Sequence, residues 1–209
     1  FLFLTLNLNF FSPTSKLNPL NLSLKRLLVF CSKILVLLST TTASSSATVD
    51  ITSNIDSTYK EYIIKFINIH PATDGANLGV QFNASGGSGF NETLTTTIFR
   101  AYHQEDGGAA SLDYVTGDDI AQGTGYMRLG QAGGDNDQHV SGTLHLFDPS
   151  STTFVKHFIA RTVEAHGANI AADVPVAGYI NTTSAIDEVS FKFHSGDIDS
   201  GTFKLYGVS

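Results

Sequence analysis

Seven histidines, 19 carboxylates and a single cysteine are the groups on this 209-residue chain able to carry metal, acid–base or nucleophilic chemistry. The histidines are His70, His103, His139, His145, His157, His166 and His194. If the turn Asp148-Pro149-Ser150-Ser151 sets the register of the runs beside it, His145 faces Val155 and His157 faces Thr143. The two imidazoles then become diagonal neighbours on one sheet face. Two imidazoles are half of a zinc site, and the spacing supplies no third or fourth ligand. The expectation is ordinary strand histidines with no bound metal. The acidic run with Asp135, Asn136 and Asp137 lacks the alternating oxygen ligands, central glycine and terminal glutamate of an EF-hand. A calcium site assembled from distant loops, with Asp197 or Asp199, stays open.

Nucleophilic chemistry has less support. There is no GxSxG elbow, and the glycine-rich GGSG and GTGYMRLG segments lack the strand-to-helix setting of a phosphate loop. Cys31 lies near the N-terminus, outside the patterned part of the chain. Glycoside hydrolysis needs two carboxyls held at a fixed separation, and spacing alone does not pair Glu61, Glu105, Asp113, Asp118, Asp119 or Glu164. The expectation is no catalytic residue and no cofactor. Tyr102, Tyr114, Tyr126 and Tyr206 are of the type that stacks on sugars, although packing at the core and its rim is the expected role. Asn83, Asn91 and Asn181 head triplets of the glycosylation type.

The elements that must position these groups begin after a break in composition near Asp50. Residues 1–49 contain no Asp, Glu or Gly and carry four positive charges, whereas the remainder holds 8 basic and 19 acidic residues, a balance of −11. That balance repels phosphate backbones, so nucleic acid is not an expected partner. The boundary predicted by composition is a leader over 1–45 and a domain over 46–209. Lys25 and Arg26, then LLVFCSKILVLL and a small-residue run, have the order of a secretory signal. The apolar stretch is too short to span a bilayer. The leader is thus expected to be signal-like, without a structured role, or not natural coding sequence.

From Thr48 onward the apolar period is two. Residues 59–69, YKEYIIKFINI, read as a central strand covered on both faces. SGTLHLF and TTFVKHFIA flank the DPSS turn as a hairpin. Val189, Phe191 and Phe193, then Phe203 and Leu205 across SGDIDSG, alternate with polar residues and predict a C-terminal hairpin with one buried face. About ten strands over this length predict an all-β, antiparallel sandwich of jelly-roll type. The least regular stretch, Gln104 to Gln138, is the expected contact surface, with Tyr114, Tyr126 and Arg128 as anchors and the loop from Asn83 to Asn91 beside it.

Three stretches, STYKEYIIKFINIHPATDGANL (57–78), SGTLHLFDPSSTTFVKHF (141–158) and VAGYINTTSAIDEVSFKFHSGDIDSGTFKLYGV (176–208), resemble a family of uncharacterised β-rich proteins of tailed, especially marine, bacteriophages and viral metagenomes. The resemblance implies a virion or tail-associated accessory protein without an assigned activity, and it carries over no functional residue. The expected partner is another virion protein or a host-surface glycan, with no membrane and with a homo-oligomer open. The alternatives are a secreted carbohydrate-binding module and, third, a glycoside-active enzyme.

Overall fold

A computed structural model describes residues 34–209. Lys25, Arg26, Cys31 and most of the signal-like segment lie outside the described residues. The described chain forms thirteen strands: β1 (Leu35–Ser46), β2 (Val49–Ile51), β3 (Glu61–Pro71), β4 (Ala76–Ala84), β5 (Leu94–Gln104), β6 (Ala110–Tyr114), β7 (Ala121–Gly123), β8 (Met127–Ala132), β9 (Val140–Phe147), β10 (Lys156–His166), β11 (Ile170–Ile180), β12 (Ile186–Phe193) and β13 (Ile198–Val208). A nine-stranded sheet runs β1-β13-β3-β9-β10-β11-β5-β6, with β7 also pairing β5, and a four-stranded sheet runs β2-β12-β4-β8. Every pairing is antiparallel, and the two sheets pack as a sandwich.

Strand alternation explains the core. On β10 the buried positions are Lys156, Phe158, Ala160, Thr162 and Glu164, and their neighbours in sequence face out. Phe66, Phe191 and Phe203 meet between the sheets, Phe191 and Phe203 at 4.9 Å between ring centres and Phe66 at 6.0 and 6.3 Å from them. Phe82 joins Phe158 across the same gap at 5.1 Å. Each such ring contributes about 1.5–3 kcal/mol by leaving water. The ring of Phe66 lies over Gly142, where an added Cβ would come within 2.8 Å of it. Lys156 is wholly buried, and its Nζ donates to the Thr182 carbonyl at 3.1 Å.

The expected burial of Phe191, Phe193, Phe203 and Leu205 holds, but the expected hairpin does not. β12 pairs with β2 and β4 in one sheet, while β13 pairs with β1 and β3 in the other. The segment between them arches from sheet to sheet, so the phenylalanines meet face to face. Period-two alternation fixes which residues point inward and leaves the hydrogen-bonding partner open. β9 and β10 do form a hairpin, in a different register: His145 faces Ile159, and Arg161 faces Thr143. The loop runs on to Val155, longer than the four-residue turn.

Two further expectations are corrected. The sheet begins at Leu35, not at 46, because β1 pairs along β13 from Leu35↔Val208 to Ser46↔Ile198. β3 is central, but of its outer-face residues Glu61, Ile63, Lys65 and Ile67 only Ile63 is buried. The same face carries the partly buried Glu61 and Lys65, with the Lys65 ammonium over the Tyr206 ring at 5.4 Å.

Candidate functional site

The three expected anchors are dispersed between the two sheets. Tyr114 sits on β6 at one margin of the large sheet. Its ring meets Phe99 edge-on at 5.2 Å, and its hydroxyl donates to Asp119 at 2.7 Å. That hydrogen bond raises the Tyr114 pKa and lowers that of Asp119. Tyr126 precedes β8 and is half-buried. Its hydroxyl bonds to Ser190, which bonds on to Asp50, and the Lys192 ammonium lies 4.3 Å from its ring centre. Arg128 is only 7% exposed and is not a surface anchor. The segment connecting β6 to β8 links two of the anchors through adjacent carboxylates, Asp118 to Arg128 and Asp119 to Tyr114.

Arg128 belongs to a buried polar cluster that closes one side of the sandwich. β8 is the edge of the small sheet, so the backbone groups it turns away from β4 need other partners. β10 of the large sheet supplies them: Thr162 Oγ1 donates to the Leu129 carbonyl at 2.6 Å, and Glu164 Oε1 accepts the Gln131 N–H at 2.8 Å. The Arg128 guanidinium stands 3.4 Å from the same Glu164 oxygen. Burial pushes the Glu164 pKa up, and Arg128 offsets only part of that shift. His166, bonded to Gln131, has a pKa lowered by burial and by Arg100 and Arg128. Glu164 thereby holds β8 to β10 through its Oε1.

The loops expected to adjoin do so. Buried Gln81 directs its side-chain amide to the carbonyls of Glu92, Thr124 and Gly125 at 2.9–3.1 Å, tying the β4–β5 loop to the turn before β8. Asn83 is buried and donates to Glu188, so the first glycosylation triplet is closed, whereas Asn91 and Asn181 are exposed. His145 bonds Glu61 at 2.8 Å, and His157 lies edge-on to Tyr179. Among the described residues no three His, Cys, Asp or Glu side chains converge to hold a metal ion.

Two surface features remain. On the outer face of the large sheet, Phe99, Leu112 and Tyr114 are 43%, 75% and 44% exposed, all on paired strands. Val163 and Ile159 extend this field two strands away, interrupted by the bidentate Arg161–Asp173 pair. The second feature is a polar depression of about 200 Å³ at one end of β3 and β13, floored by His70 and Gln138. Sequence inspection misses it because its walls come from positions near 70, 138 and 199. The only hint is that Asn136 and Asp199 belong to the two acidic turns considered for calcium.

The sequence matches no family model and no curated protein.

Proposed function

We propose that this chain is a non-catalytic contact module, a structural or accessory component of a bacteriophage virion or tail, and that its main partner surface is the β5–β6 margin of the large sheet. The observation that carries this reading is the exposed trio Phe99, Leu112 and Tyr114 on hydrogen-bonded strands. Contiguous exposed apolar surface with a polar surround marks interaction sites. A patch fixed by a sheet also loses little conformational entropy on docking. The phage assignment rests on the three resembling stretches, and the strongly acidic domain favours a protein partner over nucleic acid.

The test is co-sedimentation with gradient-purified particles. The full chain should band with particles at a fixed ratio, and Leu112→Asp should release it while leaving its thermal unfolding unchanged. A chain that never bands with particles, or a variant that stays bound, would contradict the proposal.

A further inference from the structure

We infer that the polar depression at the β3–β13 end is a binding site for a single neutral sugar unit, separate from the β5–β6 contact surface. It is lined by Asn68, His70, Asn136, Gln138, His139, Asp199 and Ser200. β3, which carries Asn68 and His70, and β5, which carries Phe99, are four strand steps apart, roughly 19 Å at about 4.8 Å per step, so either surface can fail a test without the other.

The backbone around the depression departs from regular pairing in both adjacent strands. The β3–β9 register shifts between Phe66 and Ile69, and the β13–β3 register shifts on both sides of Ser200. Asn68 is held at a φ of 53° and Gly201 at 136°, where an added Cβ would come within 2.5 Å of Ile69. A left-handed non-glycine residue costs about 1–3 kcal/mol and persists where the surroundings over-determine it. Bulges re-aim side chains and are enriched beside binding sites. These two turn Asn68 and Ser200 to the mouth of a depression whose floor is polar.

The floor is unusual for a sandwich. The His70 side chain is 14% exposed, with Nε2 3.1 Å from the Asp135 carbonyl and Nδ1 3.8 Å from Asp199. Gln138 is 9% exposed, and its Oε1 is turned onto the backbone of Gly133, beside Gly167, away from the depression.

The donor and acceptor set selects the ligand class. Three amides, two imidazoles, one carboxylate and one hydroxyl offer donors and acceptors side by side, which matches vicinal hydroxyls that both donate and accept. Asp199 disfavours an anion, and the lining contains no lysine or arginine. The volume, below the ~300 Å³ at which drug-sized pockets begin, suits one ring and not a chain of them.

The experiment is an amide-resolved NMR titration of the full chain with glucose, galactose, mannose and N-acetylglucosamine, each to about 50 mM, well above the ~1 mM dissociation constants within reach of one small ring. At least one sugar should shift residues 68–70, 135–139 and 198–201 and leave Leu112 and Tyr114 unmoved. Asp199→Ala, at a half-exposed position, should weaken that binding at least tenfold. Asn136→Trp, on an exposed loop, should plug the mouth and abolish it. Shifts scattered over the surface, no response to any of the four sugars, a response to zinc chloride alone, or undiminished binding in both folded variants would overturn the inference.

Discussion

Glu164 gives the sharpest stability test because its role is geometric. Replacing it with Ala leaves the part-buried Gln131 N–H without its acceptor, a loss of about 1–3 kcal/mol, and strips Arg128 of one carboxylate while Asp118 remains. Breaking a buried ion pair outright costs about 3–5 kcal/mol, so with Asp118 retained the expected total is about 2–4 kcal/mol. For a domain of this size that lowers Tm by about 5–15 °C, readable by calorimetry or circular dichroism. Glu164→Gln keeps a carbonyl at the same place and should cost about 1 kcal/mol or less at neutral pH.

The pH dependence follows from the raised pKa. The native chain holds the Glu164 proton more tightly than the unfolded chain, so its contribution to stability falls as pH rises from the ordinary value of 4.5 through the native one. The Gln variant lacks that fall, so its deficit relative to wild type should be smaller at pH 7 than at pH 4. Equal Tm values for the Ala and Gln variants, or an Ala variant within about 2 °C of wild type, would refute the clamp between β8 and β10.

Other outcomes follow from the same packing. Phe203→Ala or Phe191→Ala should cost about 3–5 kcal/mol in urea unfolding, since each ring is enclosed by the other two of the Phe66 trio. Gly142→Ala should cost about 1–3 kcal/mol by overpacking against Phe66 and the Arg161 carbonyl. Removing residues 1–46 should lower Tm by several degrees, because β13 loses its partner along the whole of β1 and becomes an open edge.

The alternation of Phe191, Phe193, Phe203 and Leu205 made their burial legible, because period two assigns a face directly. The partner strands were not legible, since the same pattern suits a hairpin within one sheet and an arch between two. β1 escaped notice for a related reason: STTTASSS buries only Ala43 among its residues, so an edge strand of small and β-branched residues looks like a linker. Arg128 looked like a surface anchor because one of its two carboxylate partners, Glu164, comes from a strand 36 residues on and from the opposite sheet, whereas Asp118 lies only ten residues away. Tyr114 kept its expected exposure, and its neighbours Phe99 and Leu112 turned a single anchor into a patch. The polar depression depends on bulges in β3 and β13, which pair through residues about 130 apart in sequence.

Photo-crosslinking tests the contact reading most directly. A benzophenone amino acid replacing Leu112 or Tyr114, in chain assembled into phage particles, should form one dominant adduct with a defined virion protein. The same probe at exposed Phe154, on the β9–β10 loop, should give little. Adducts at Phe154 with none at Leu112 or Tyr114 would place the contact surface elsewhere and contradict the account.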